Sequence, residues 1–469
     1  MFNEISSLHE ECGVFGVWGA ENANYLTYLG LHSLQHRGQE GAGIVTNDNG
    51  KLHSYRNLGL LSQVFDDKQR LYDLTGNAAI GHVRYSTAGE NRIENVQPLV
   101  FDFTDDQFAL AHNGNLTNSI TLKKELEDKG HIFKSSSDSE VLMHLIKISK
   151  ENKQIDKIKD ALNKIQGGFA YLLLTKDSMI VALDSNGFRP LSIGKMENGA
   201  YVVASETCAL DAVKAEFVRD VLPGELITIS DAGMKIDHWT ENTKLAFCSM
   251  EFVYFARADS NLLGVNVHTA RKRMGRNLAQ EEPVDGDIVV GVPNSSLSAA
   301  SGYAEESGLP YEMGLIKNQY MGREFIQPTQ ELREKSVRQK LAAVKGVVEG
   351  KRVILVDDSI VRGTTCAYIV NMLREAGAKE VHLRIASPQF KFPCFFGIDI
   401  QKKSELLASH KTVEEMRQMF DADSLKFLSE DGLIDAIGLK TEGEDPGLDL
   451  SYFDGNYPAY LYDYAETDA

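Results

Sequence analysis

Along the first 236 positions the chain reads as short apolar runs of strand length mixed with helical spacing. Ala170–Thr175 and Met179–Leu183 form a predicted hairpin pair across Lys176, Asp177 and Ser178. Asp138–Ile148 has helical spacing, and Ser137 with Glu140 three residues later matches a capping box. This mixture predicts an α+β domain. From about Asp287 the pattern becomes strand, helix, strand, helix, strand: Ile288–Val292, Ser296–Ser307, Val353–Val356, Thr365–Ala376 and Val381–Ser387. Such alternation predicts an α/β domain whose parallel sheet is covered by helices. The junction falls in 237–266, and no internal repeat is evident.

Composition narrows the class without naming it. A length of 469 residues with 43% hydrophobic positions supports two domains or more. No apolar run suits a signal peptide or a membrane span, so a cytoplasmic protein without a membrane partner is expected. Cys12, Cys208, Cys248, Cys366 and Cys394 are too scattered for a disulfide framework. A net charge of -18 argues against a broad nucleic-acid surface. The charge is uneven, however: Lys317 to Arg352 holds nine Lys or Arg against four Glu, a place where a small anion could be held. Thr441 to Ala469 holds eight acids and no Lys or Arg, and reads as a solvated surface segment.

The basic segment leads into KRVILVDDSIVRGTT, Lys351 to Thr365, an apolar strand ending in two acids and followed by a loop that opens a helix. Ligands of open parallel sheets collect at the carboxyl ends of strands. Backbone N–H groups of Arg362 to Thr365, with the Thr364 and Thr365 hydroxyls, could cradle a phosphate at the helix start. Asp357 and Asp358 would take ribose hydroxyls and a magnesium ion that bridges to a diphosphate. An acidic turn after a strand is the plain alternative. The whole string resembles the signature loop of the type I phosphoribosyltransferases, which implies a phosphoribosyl diphosphate site that also includes Ser359 and Gly363.

Cys12 sits in EECGVFG, and QHRGQEGAG (35–43), GHVRYST (81–87), HNGN (112–115) and SSDSE (136–140) follow in order. Together they resemble the glutaminase domain of the N-terminal nucleophile amidotransferases, which implies an αββα sandwich. The resemblance makes Cys12 the nucleophile and requires removal of the leader 1–11. A thiol near pKa ~8.5 and an α-amine near ~7.7–8.0 explain that requirement, since an N-terminal cysteine carries its own base. Asn113 and Gly114 would form the oxyanion hole, although Asn-Gly is also a common hairpin turn. Arg84 would hold the glutamine carboxylate and Asp138 its ammonium, with a helix-dipole role as the alternative for Asp138. Arg37 and Gly38 would close over the substrate, a surface salt bridge being the alternative for Arg37.

Taken together, the halves 12–240 and 241–469, the latter with a C-terminal extension, resemble the glutamine phosphoribosylpyrophosphate amidotransferase family, closest to its Bacillus-type members. SMEFVYFARADS (249–260), GVPNSSLSAA (291–300) and 314–341 carry the likeness further. The resemblance implies Lys317 and Arg323 as anion contacts on a closing loop, and Ser295 as a magnesium ligand beside Asp357 and Asp358. It implies a dry passage for ammonia, with Tyr254 a candidate gate, a homotetramer, and inhibition by purine nucleotides. It also implies an iron–sulfur cluster held by four cysteines. Cys248 and Cys394 stand at two of those positions, but Asp449 and Tyr452, or Pro446 and Asp449 in a shifted register, replace the others. The cluster is therefore expected to be absent, leaving Cys248 and Cys394 as buried thiols. Asn294 and Ala258 depart from the family's acid and proline. A hexosamine-forming amidotransferase would need two repeated isomerase domains. A regulator that senses phosphoribosyl diphosphate would not need Cys12, Arg84, Asn113 and Asp138 in order.

Overall fold

The computed structural model describes residues 12–85, 92–103, 106–318, 341–398, 400, 402–439, 441 and 445–465. The leader and Arg323 lie outside them. In the N-terminal half, two antiparallel sheets stack face to face. The first has seven strands in the order Glu216–Asp220, Ser192–Lys195, Tyr201–Ala204, Gly13–Trp18, Ala78–Arg84, Gly41–Asp48, Lys51–Leu58. The second has six, in the order Gly233–His238, Glu225–Ser230, Met179–Leu183, Gly167–Leu174, Gln107–Leu116, Leu99–Asp102.

Strand periodicity accounts for the layering, because successive side chains leave opposite faces. On the central strand, Val14 and Trp18 enter the core between the sheets with Val45, Ile80, Leu172 and Val181. Phe15 and Val17 face the other way, into a core shared with the helix Ala23–Ser33 and with Ala209 and Leu210. On the far side, Leu110, Tyr171 and Leu173 pack under the helices Glu140–Ile148 and Gln154–Leu162. The result is the expected αββα sandwich.

The C-terminal half is built on four parallel strands in the order Ile288–Gly291, Arg352–Asp357, Glu380–Ile385, Ser424–Phe427. Alternate residues of one strand feed two cores. Ile354 and Val356 meet the helices Val267–Glu281, Leu297–Ser307 and Glu430–Ile437, while Val353 and Leu355 meet Thr364–Glu375. The α/β reading holds, with the short strand Ser424–Phe427 added beyond the predicted set.

Two expectations from sequence, and one alternative offered beside an expectation, do not hold in the fold. The helix begins at Glu140, and Ser137 with Glu140 forms no capping box. The Glu140 carboxylate instead accepts from the Lys134 and Ser135 amides at 2.9 and 2.8 Å. Asn113 and Gly114 make no turn, since they pair in unbroken register with Ala170 and Phe169 in mid-strand. The acidic tail is not a solvated surface segment throughout, because Asp449, Ser451, Tyr452 and Phe453 are buried. Enough apolar surface accompanies its acids for the tail to join the core that spans both halves, with Phe188, Phe390 and Phe396.

The helices Val267–Glu281 and Leu297–Ser307 cross at glycine, where a Cβ on Gly275 would lie 1.8 Å from the Ala299 carbonyl oxygen. Backbone cannot yield as a flexible side chain can. Gly275→Ala is expected to destabilise the protein by roughly 1–3 kcal/mol through this overpacking, read as a lower thermal unfolding midpoint. An unchanged midpoint would show that the helices separate freely.

Candidate active sites

Pairing of Gly13 with Val83 sets Cys12 beside Arg84 and Tyr85 at one end of the first sheet. The Cys12 thiol donates to the Tyr85 carbonyl at 3.2 Å, and the Tyr85 amide lies 3.4 Å from the sulfur. Burial pushes the thiol up to about 11, against the pull of the Tyr85 backbone and Arg84, and Glu40 and Asp138 push the same way. In the uncut chain the Cys12 nitrogen is an amide, with no basic lone pair. Such a thiol is protonated and inert, which fits a nucleophile that awaits a free amine.

Across from it, the strand Gln107–Leu116 presents Asn113 and Gly114. Asn113 is buried, and its Nδ2 has no hydrogen-bond partner among the described residues. Leaving a buried donor unpaired costs about 1–3 kcal/mol, so the structure holds it ready for something else. Gly114 has φ +142, and a Cβ there would lie 2.1 Å from the Gly168 carbonyl oxygen. Only glycine lets the strand pass so close. A side-chain amide beside a glycine N–H is the donor pair an oxyanion requires.

Asp138 precedes its helix and accepts the Leu116 amide at 2.9 Å. Burial would raise this carboxyl, but His112, the Leu116 amide and Ser139 hold it below its ordinary value. A buried carboxylate kept charged suits an ammonium group. His112, stacked on Tyr171 with ring centres 4.3 Å apart, reaches Ser139 Oγ at 2.8 Å. Neither His112 nor Ser139 was singled out from sequence, since each matters only through Asp138. Arg84 is buried 3.7 Å from Glu40.

Arg37 differs from the alternative offered for it. Its side chain is fully buried, bound to Glu206 at 2.7 Å and to Glu251 at 2.6 and 2.8 Å, so it is no surface salt bridge. Its Nε donates to the Cys12 carbonyl at 3.1 Å. Gly38 lies against the Val83 carbonyl, which a Cβ would approach to 2.6 Å.

In the other half, Asp357 ends its strand and Asp358 begins the loop. Ser296 Oγ donates to Asp357 at 2.9 Å, Ser359 Oγ to Asp358 at 2.7 Å, and Ser295 Oγ also bonds Asp358. Ser296 was not singled out from sequence. Burial and then Asp358 push Asp357 up to about 7, and burial raises Asp358 as well. Two buried acids that repel each other suit a divalent cation, which would relieve both costs. Among the described residues no group of three or more His, Cys, Asp or Glu is arranged to hold a metal ion. Gly363, with φ +76, opens the helix Thr364–Glu375, leaving the Thr364 hydroxyl exposed and Thr365 half-buried. Lys317 is exposed on a separate two-stranded ribbon, Leu315–Lys317 with Leu341–Ala343.

Residues at the cluster positions do not fit a cluster. The Tyr452 phenol occupies the space, 3.7 Å from Cys248 Sγ, 2.6 Å from Ser249 Oγ, 2.8 Å from the Asp449 carbonyl and accepting the Met250 amide at 3.1 Å. Its ring stacks on Phe390 at 5.0 Å. Cys394 is buried and its backbone bridges to Ile400.

A thiol on an antiparallel sandwich and paired acids on a parallel sheet place the chain in the class of glutamine amidotransferases fused to a phosphoribosyl transferase. Family comparison agrees: residues 82–212 match the glutamine amidotransferase domain and 267–386 the phosphoribosyl transferase domain. The amidophosphoribosyltransferase of Bacillus subtilis strain 168 is 57% identical over 98% of this chain and 97% of its own. That of Staphylococcus aureus strain Mu50 is 56% identical over 99% and 94%. A solved structure of the B. subtilis glutamine phosphoribosylpyrophosphate amidotransferase, complexed with ADP and GMP, superposes with a TM-score of 0.92 at 56% identity, covering 96% of this chain and 98% of that one. The chain belongs to the amidophosphoribosyltransferase family.

Asn113→Ala is expected to lower the rate of glutamate release roughly 10²–10³-fold, the cost of one oxyanion donor. Diphosphate release supported by added ammonium salt should persist, and a parallel loss of both would place Asn113 in the general fold instead.

Proposed function

We propose that this chain catalyses the family's reaction, the first step of purine nucleotide synthesis. Cys12 hydrolyses glutamine, and the ammonia converts phosphoribosyl diphosphate to 5-phosphoribosylamine and diphosphate. The observation that carries this reading is the buried, unpartnered Asn113 amide on the strand that also supplies Asp138 with an amide. Once the leader 1–11 is removed, the α-amine of Cys12 takes the thiol proton and the sulfur attacks the side-chain amide of glutamine. Asn113 Nδ2 and the Gly114 N–H stabilise the oxyanion, Arg84 holds the α-carboxylate and Asp138 the α-ammonium. Water then frees glutamate from the thioester.

At the second site Asp357, Asp358 and Ser295 would hold magnesium, which when bound would supply positive charge to a departing diphosphate. Ser359, Gly363, Thr364 and Thr365 bind the phosphoribosyl group, and Lys317 with Arg323 contacts its anionic end. Ammonia passes within the protein, where it escapes protonation by water. Tyr254, half-buried with its ring 5.6 Å from Phe255, lies in the junction through which such a passage runs. Purine nucleotides inhibit, as a relative bound to ADP and GMP suggests. The working form is a cytoplasmic homotetramer. Among the described residues no helix is long and apolar enough to cross a membrane.

Purified protein given glutamine, magnesium and phosphoribosyl diphosphate is expected to release glutamate and diphosphate in equal amounts, with a mass that begins at Cys12. No diphosphate from correctly processed protein would refute the assignment. No iron–sulfur cluster is needed where Tyr452 stands, so iron and sulfide are expected well below one cluster per chain. Tyr452→Phe should destabilise the protein by about 1–3 kcal/mol by stranding its buried partners, seen as a lower unfolding midpoint. Stoichiometric iron and sulfide would overturn this part.

A further inference from the structure

Glu251 lies in the junction segment and binds the Arg37 guanidinium. It is fully buried, as are Arg37 and Glu206, and the Arg189 guanidinium lies 3.8 Å from it. His36 joins the same group through Glu206 at 2.7 Å. Burying several charges is expensive, and apolar packing would often hold two segments together as well. The geometry supplies a reason for the charges. Glu251 accepts two bonds from Arg37, one from each terminal nitrogen, which fixes the guanidinium plane. That plane carries Nε, which meets the carbonyl of Cys12 itself.

Glu251 is in turn held from the phosphoribosyl half. It opens the single turn Glu251–Phe255, whose end is closed by the Ala256 amide on the Glu251 carbonyl at 3.1 Å. Arg271, on the helix Val267–Glu281, grips this turn through the Phe252 and Ala256 carbonyls at 2.7 and 2.8 Å. Glu206, the second carboxylate on Arg37, accepts the Arg257 amide at 2.9 Å and the Ser260 hydroxyl at 2.7 Å. Both carboxylates therefore take their places from 251–260, a segment outside the two glutaminase sheets.

We infer that Glu251 is a positioning residue for the Cys12 nucleophile, acting through the Arg37 guanidinium, so that the glutaminase site is completed by the junction. The carbonyl remains when the leader is cut, and the contact acts on the processed enzyme. A shift of about 1 Å in a nucleophile can cost on the order of 10²-fold in rate. Substrate contacts are not involved, so the effect belongs in kcat and not in KM.

The inference rests on Cys12 as the nucleophile, and the experiment separates the two. In the processed full chain, glutamate release is measured against glutamine concentration, and diphosphate release is measured with ammonium chloride as nitrogen source. Glu251→Gln is expected to lower kcat for glutamate release roughly 10–100-fold, with KM within about 3-fold and the ammonium-driven reaction within about 2-fold. Glu251→Asp, which keeps the charge but shortens the reach, should fall between wild type and Glu251→Gln. It decides the matter if Glu251→Gln does not fold. Combining Glu251→Gln with Arg37→Lys should cost little more than the worse single change, because both act along one path. An unchanged kcat, a rise in KM alone, or an equal fall in both reactions would overturn the inference. Persistent glutamate release from Cys12→Ala would instead overturn the reading of Cys12.

Discussion

The strand Gly13–Trp18 is buried on both faces and hydrogen-bonded on both edges, to Ala78–Arg84 and to Tyr201–Ala204. A strand so confined has a single register, since a slip of one residue would carry Val14 and Trp18 out of the inter-sheet core. Cys12 is the residue immediately before it. The position of the thiol is thus set by the packing of a whole sandwich. Arg84 and Tyr85 reach the thiol because they leave the neighbouring strand at the same level. Asn113 and Gly114 belong to the facing sheet, where rigid strands supply better aim than loops.

The second site follows another rule with the same economy. A parallel sheet gathers strand ends on one side, and Asp357 is the last residue of a central strand. Its charge and that of Asp358 are buried together, a cost that serines 295, 296 and 359 offset only in part. The site is thereby prepared for a cation. The two halves are not beads on a string, because Asn115 Nδ2 donates to the Phe395 carbonyl at 2.8 Å and Arg189 Nε to that of Phe396 at 3.0 Å.

Much of this was legible in residue order. Ile288–Gly291 and Val353–Val356 announced themselves as fully apolar runs, as buried parallel strands do. Local chemistry misled where a tertiary partner outbid it. Glu140 had a capping serine within reach and went to the Lys134 and Ser135 amides instead. The turn offered as the alternative for the Asn-Gly pair is likewise excluded, because the strand Gly167–Leu174 claims both residues. Arg37 could not be placed because its partners Glu206 and Glu251 lie 169 and 214 residues away. Charge at that separation leaves no periodic trace. Tyr452 was identifiable by alignment to a missing ligand, but its four polar neighbours come from the fold.

That tyrosine changes what the C-terminal segment demands of its surroundings. A metal cluster joins distant stretches of chain only after other machinery has built and delivered it, and once lost it is not restored by the polypeptide. The Tyr452 phenol instead donates to the Asp449 carbonyl, accepts the Met250 amide and bonds the Ser249 hydroxyl, all of them groups of the chain itself. The join that Tyr452 makes between these stretches is thus built from the polypeptide's own groups, and its formation calls for neither metal nor reducing power.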